Sequence, residues 1–327
     1  MYTRRELGKL ALATLPVAGL LPKLAATASG WQRPDSKVAG VQIGLNVPYN
    51  FGNAQLPADE ILKNTLQLGV SGLELRAQPV EVFMGARPEL IFPPGRGGRN
   101  APQLTPEQQA TQAAARKIAA EDLRKWRTSA SLDQAKALRA RYNSAGVLIE
   151  VVKVDGIFTM ADDVLDYFFT LARTLGARAI STEIASNLDD TKRVGQFADK
   201  HKLMVGYHGH ATTTPAHWET TFGFAKFNGA NLDIGHFIAG NNTSPVPFLK
   251  THHARISHIH VKDRKLNNGP NTPFGEGDTP IKEVLQLIRD NKWNIQATIE
   301  FEYQVPAGSD RMAEMAKCVQ YCREALK

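Results

Sequence analysis

The chain has 327 residues, 43% hydrophobic and 22% charged, a composition ordinary for a soluble globular protein and long enough for one large α/β domain. Its two cysteines, Cys318 and Cys322, sit four apart in what reads as the last helix, which excludes a disulfide framework and a cysteine-based zinc site. The formal charge is +7; Arg4, Arg5, Lys9 and Lys23 against Glu6 put +3 of it in residues 1–28, and the remaining +4 is too mild a basic excess to argue for nucleic acid.

The N-terminal segment Thr3-Arg4-Arg5-Glu6-Leu7-Gly8-Lys9 resembles the twin-arginine export consensus. An apolar run from Leu10 to Leu21 follows, and Ala26-Thr27-Ala28 is a small-x-small cleavage site. Pro16, Gly19 and Pro22 punctuate the run, which is too short for a comfortable membrane span. The expectation is a signal peptide over 1–28, a polar linker over 29–40, and a periplasmic or exported protein with no membrane attachment after cleavage.

Val41 to Asn46 reads as the first strand, Ala58 to Leu68 as a helix closed by Gly69, and Ser71 to Arg76 as the second strand. The rhythm then breaks. Gln78 to Leu104 is rich in Pro, Gly and Arg and reads as a long loop. Helical composition runs from Thr105 to Tyr142 with a break near Thr128 to Ser131, so residues 78–145 form an insertion after strand two. Such an insertion suits a lid, a binding loop or an assembly arm, the last making a homo-oligomer an expectation.

The alternation then resumes. Strands are expected over Val147–Val154, Ala179–Glu183, Leu203–His208, Asn231–Gly235, Ile256–Val261 and Gln296–Phe301. The helices between and after them are expected over Ala161–Leu175, Thr191–His201, Pro215–Lys226, Pro247–His252, Pro280–Asp290 and Arg311–Leu326. Strands alternating with helices demand a parallel sheet with crossover helices. Eight such units favour a closed (β/α)8 TIM barrel over an open doubly wound sheet. No glycine-rich phosphate or dinucleotide motif follows any strand.

Polar residues in these strands keep one parity. Asn231 and Asp233 share a face, as do His258, His260 and Lys262. Carboxylate and imidazole on a buried face are costly unless paired, and a divalent metal is the simplest partner. Glu183, Asp233, His260 and Glu300 each stand near the C-terminal end of a different strand, where barrel chemistry gathers. One histidine with three carboxylates suits Mn²⁺ best, with Mg²⁺, Co²⁺ or Zn²⁺ as alternatives. His208 and His210 end strand five and Lys153 ends strand three, while Glu74 and Lys262 share the polar parity of their strands. His208 is a candidate leaving-group acid; Lys153, His210 and Lys262 are candidates for binding substrate, and Glu74 for binding a sugar hydroxyl or supporting a residue that contacts substrate or metal.

Four motifs carry a family resemblance: Thr182-Glu183-Ile184, Leu232-Asp233-Ile234-Gly235-His236, His258-Ile259-His260-Val261-Lys262-Asp263 and Thr298-Ile299-Glu300-Phe301. In order and strand position they resemble the xylose isomerase-like barrel superfamily, which includes sugar isomerases and epimerases, inosose dehydratase and the endonuclease IV group. The resemblance to its ketose 3-epimerase branch implies Glu183, Asp233, His260 and Glu300 as ligands of one divalent metal. It further implies Glu183 and Glu300 as acid and base, and His236 as a substrate contact. Tyr207-His208-Gly209-His210 resembles a His-x-His found at this point in other members. Strands two and three offer Glu74, Arg76 and Lys153 where the endonuclease branch has extra histidines.

The expected function is proton abstraction α to a carbonyl of a small carbohydrate or keto-sugar, through a metal-bound enediolate. Isomerisation, epimerisation and a 3-keto-glycoside lyase or hydratase reaction all remain open. The alternatives are a non-catalytic sugar- or metal-binding barrel and a metal-dependent phosphodiesterase.

Overall fold

Every barrel strand must satisfy two different neighbours, helices outside and the other strands' side chains inside. In the computed structural model, which describes residues 33–93 and 105–327, eight parallel strands meet that demand. They are β1 (Val41–Val47), β2 (Gly72–Arg76), β3 (Leu148–Lys153), β4 (Ala179–Glu183), β5 (Met204–His208), β6 (Asn228–Asp233), β7 (Ile256–Val261) and β8 (Gln296–Ile299). Each pairs with the next in parallel, and β8 returns to pair with β1, so the sheet closes as a (β/α)8 TIM barrel. Closure removes every sheet edge.

One parity of each strand is apolar and belongs to the core cluster: Ile43, Leu45, Leu73, Leu75, Val152, Ile180, Val205, Tyr207, Leu232, Ile259, Val261 and Ile299 among them. The other parity is small or polar yet equally buried: Asn46, Glu74, Ser181, His208, Asn231, Asp233, His258, His260, Gln296 and Thr298. The first set packs under the helices, and the second fills the barrel. Glycine makes room inside, since a Cβ on Gly44 or Gly72 would meet the Gln296 side chain at 2.6 and 2.7 Å.

The helices are α1 (Ala58–Gln67), α2 (Ala77–Phe83), α3 (Pro88–Ile91), α4 (Pro106–Ser129), α5 (Asp133–Ser144), α6 (Asp162–Leu175), α7 (Asp190–His201), α8 (Pro215–Phe224), α9 (Ile234–Asn241), α10 (Val246–His252), α11 (Ile281–Asp290) and α12 (Arg311–Ala325). The start of α4 carries a capping box, with Thr105 and Gln108 satisfying each other's backbone N–H groups and Pro106 in the first turn. Among the described residues no helix is long and apolar enough to cross a membrane.

Three expectations change. Part of the segment read as a loop over Gln78–Leu104 is helical, because Ala77 and Val80 enter the core and Pro79 occupies a first-turn position that needs no intrahelical N–H bond. The strand expected over Asn231–Gly235 stops at Asp233: its carboxylate accepts from the His236 N–H at 2.7 Å and starts α9, a helix the sequence reading lacked. The last strand ends at Ile299, two residues before Phe301. The end of the 29–40 linker is also ordered, with Lys37–Val38 pairing antiparallel to β1. The signal segment 1–28 and the arginine-bearing stretch 94–104 lie outside the described residues.

The insertion is tied down by a buried ion pair. Arg127 of α4 reaches both oxygens of Glu81 in α2, at 2.6 and 2.9 Å, and the Glu81 side chain is fully buried. Truncating one partner strands the other charge. Arg127→Ala is expected to lower stability by about 3 kcal/mol, read as the loss of unfolding free energy in urea. An unchanged midpoint would contradict this docking.

Candidate active site

The polar parity ends at one mouth. β6 and β7 run in register with Asp233 beside His260, and β7 and β8 with His260 beside Thr298, so Glu300 follows directly on the same rim. One potential ligand atom from each of His208, Asp233, His260 and Glu300 falls within 4.8 Å of the others, and all four residues are buried. His260 Nδ1 lies 3.1 Å from Glu300 Oε2 and 3.9 Å from Asp233 Oδ2. His208 Nε2 lies 3.3 Å from Asp233 Oδ2 and 3.8 Å from Glu300 Oε2.

His260 Nδ1 and Glu300 Oε2 are buried and make no well-formed hydrogen bond. The other nitrogen, Nε2, is 2.5 Å from Glu74 Oε2. When Nε2–H donates to that carboxylate, Nδ1 presents a lone pair to two carboxylate oxygens. Only a proton or another cation reconciles that arrangement. Burial opposes charge on His260, but Glu300 and Glu74 outweigh it and raise the imidazole to about 10. Burial likewise opposes charge on Glu300, and His260 and Lys262 overcome it, holding the carboxyl well below the usual range. Two imidazoles and two carboxylates around one point are therefore a donor set that fits a divalent ion.

Lys262 brings the one ammonium in direct contact with Asp233 and Glu300 among the described residues. Its Nζ lies 2.9 Å from Asp233 Oδ2, 2.6 Å from Glu300 Oε2 and 2.7 Å from Glu302 Oε2. Its stem passes Gly235, where a Cβ would meet Lys262 Cγ at 2.4 Å, so the glycine between Asp233 and His236 is a packing requirement.

Glu183 stands one step outward from the four-residue cluster. Its Oε1 takes Lys153 Nζ at 2.5 Å, while its Oε2 meets His208 Nδ1 at 2.9 Å and His210 Nε2 at 2.7 Å. Its side chain is 46% exposed, and that of His210 is 55% exposed. Burial resists charge here too, but the two histidines and Lys153 keep the carboxyl well below the usual range.

The structure thus joins Asp233, His260 and Glu300 as the sequence reading expected, and it puts His208 in the closest group where that reading had Glu183. Glu74 is buried beneath the mouth between His258 and His260, so it meets imidazoles and not open space. Lys153 supports Glu183, and His236 lines the rim beside His208 and His210, with ring centroids 5.9 and 5.0 Å apart. The sequence reading missed Asn46, whose Nδ2 donates to Glu300 Oε1 at 2.8 Å, and Glu302, which also accepts from the Tyr49 hydroxyl at 2.9 Å. Strand parity was the available signal for Asn46; Glu302 lies beyond the end of β8. It also missed Arg264, which holds His236 Nδ1 at 2.7 Å.

A family model described as xylose isomerase-like TIM barrel matches residues 166–324. Inosose dehydratase of Clostridium botulinum is 26% identical over 155 residues, which are 40% of this chain and 51% of that protein. The chain thus spans about half the length of the curated relatives it matches. Among solved structures, D-psicose 3-epimerase from Clostridium cellulolyticum H10, determined with D-tagatose, aligns with a TM-score of 0.58 at 12% identity, covering 88% of this chain and all of that one. A probable 3-DHS dehydratase from Bacillus anthracis aligns with a TM-score of 0.57 at 14% identity, covering 86% and 99%. At these identities the structural likeness speaks for the fold. Residues 166–324 thus match the xylose isomerase-like family model, and the chain folds as a TIM barrel.

Proposed function

We propose that this barrel is a divalent-metal-dependent enzyme that removes a proton α to the carbonyl of a small keto-sugar and then expels a β-substituent. The observation that carries the reading is the half-exposed Glu183 carboxylate, held between Lys153 and two imidazoles at the rim of a buried cluster suited to a cation. His208, Asp233, His260 and Glu300 would hold the ion. Bound there, it would make the hydrogen α to a chelated carbonyl more acidic. Manganese suits this mixed nitrogen and oxygen set, and cobalt or zinc would also be accepted.

Glu183 is the base in this reading. Lys153 keeps it ionised and fixes its direction, and its exposure leaves it open to substrate. His210 shares the same carboxylate oxygen and is the more exposed of the two histidines, so it protonates the departing hydroxyl or glycosidic oxygen. Asn46 orients Glu300, and Lys262 stabilises negative charge growing on substrate oxygen. The names of two relatives, inosose dehydratase and a probable 3-DHS dehydratase, favour elimination. A second reading, epimerisation with Glu300 returning the proton, is favoured by the D-psicose 3-epimerase likeness. We further propose that the enzyme acts outside the cytoplasm, on the strength of Arg4-Arg5 and the apolar run after it.

Metal-loaded protein in D2O with 3-keto-glucosides should release the C1 substituent, and Glu183→Gln should slow release by roughly 10²- to 10⁴-fold. Deuterium entering α to the carbonyl with epimer formation and no release would favour epimerisation. Absence of both exchange and release across keto-sugars and ketoses would contradict both readings. Glu74→Gln should weaken Mn²⁺ binding by roughly 10- to 100-fold in calorimetric titration, because it orients His260; unchanged affinity would remove Glu74 from that role. Replacing Arg4 and Arg5 by Lys should retain the protein in the cytoplasmic fraction, and unchanged export would overturn the localisation.

A further inference from the structure

His236 carries an unresolved choice between two donors. Arg264 Nη1 approaches its Nδ1 at 2.7 Å, and Lys262 Nζ approaches its Nε2 at 3.1 Å. A neutral imidazole accepts at only one ring nitrogen, while guanidinium and ammonium can only donate. One of the two contacts therefore cannot be a hydrogen bond.

The distances and the other partners of each donor decide which. The Lys262 ammonium hydrogen-bonds to Glu302 and is held by the charges of Asp233 and Glu300, and all three carboxylates lie closer to it than His236 does. It needs nothing from the imidazole. Arg264 is fixed by its surroundings: Nε and Nη2 donate to the Gly269 carbonyl at 3.1 and 2.7 Å, and Nη2 also reaches Asn268 Oδ1 at 3.3 Å. Its backbone is clamped as well, the N–H donating to Thr279 Oγ1 and the carbonyl accepting from Asp278 N–H. The neighbouring Asp263 accepts from the N–H groups of Gly275, Gly277 and Thr279, which holds the rest of this loop. The remaining Nη1–H is thus aimed at His236 Nδ1 by a rigid frame.

We propose that Arg264 is a positioning residue that locks His236 as the Nε2–H tautomer. The nearest carboxylate oxygens to Nε2, on Asp233 and Glu302, are each 3.9 Å away, too far to accept its hydrogen. Nε2–H and the Lys262 ammonium then converge as a donor pair with no shared acceptor. A substrate oxygen gaining negative charge between them accepts from both, and its arrival relieves their mutual repulsion. The ligand class is a carbonyl or hydroxyl oxygen that becomes anionic during reaction. This use of the pair rests on reading the mouth as the substrate site; the tautomer itself does not.

The test is the ring-nitrogen NMR spectrum of His236 in the full chain at neutral pH with diamagnetic Mg²⁺, assigned by the signals lost in His236→Gln. The expected pattern is an unprotonated Nδ1 and a protonated Nε2, replaced by a tautomer mixture in Arg264→Leu and retained in Arg264→Lys. A protonated Nδ1 in the wild-type chain would overturn the proposal, with no variant needed. So would an unchanged pattern in Arg264→Leu. In turnover assays Arg264→Leu should lower kcat by roughly 10- to 100-fold with little change in KM. Because the tautomer is read from nitrogen shifts, failure of the proposed reaction leaves this test intact.

Discussion

The barrel's inner face is built around a charge problem. Asp233 and Glu300 place carboxylates with almost no solvent at the strand ends, and no backbone device neutralises both. In this structure the Lys262 ammonium and the His260 imidazole supply the opposing charge. Much of the mouth follows from that requirement. Glu74 lies under His260 to orient it, Asn46 fixes the far oxygen of Glu300, and Gly235 clears the path of the lysine stem. Removing one partner from such a buried group exposes the full desolvation cost of the others.

The scaffold makes the arrangement affordable by dividing labour between strand faces. The outward parity is apolar and stabilises the barrel against its helices. The inward parity is thereby free to carry carboxylates, amides and imidazoles, provided that each finds a partner. Chemistry then graduates along the strand direction. Gln296 and the glycines opposite it fill the lower interior, Glu74 and His258 form a buried middle tier, and Asp233, Glu300 and Lys262 meet at the top. Glu183 and His210 stand above that tier with solvent access, so a dry charge cluster adjoins a wet pair able to move protons.

Period-two patterning made this division legible from sequence, because the barrel strands follow it apart from register shifts at Glu150 and Ser257. That is why Asp233, His260, Glu300 and Lys262 could be grouped before any coordinates. Depth was not legible: Glu74 has the same parity as the rim residues but sits two positions before the end of β2, and that offset decides between the two roles open to it, sugar contact and support, in favour of supporting His260. Lateral reach was also hidden. Glu183 and His208 are side by side in register, and the histidine ring extends between Glu183 and Asp233, so the nearest four ligands include His208. The helix Ala77–Phe83 was obscured by the Pro, Gly and Arg that follow it, although Val80 and Glu81 are anchored in the core.

We propose that the buried cluster seats a divalent cation and is not a self-sufficient salt-bridge network. Crystals of the full chain grown with Mn²⁺ and measured at the manganese absorption edge test it most directly. One anomalous peak per chain is expected within ligand distance of Asp233, His260 and Glu300, with His208 completing the set and Glu183 outside it. Diffraction with no such peak, and with the Lys262 ammonium still closing on Asp233 and Glu300, would contradict it.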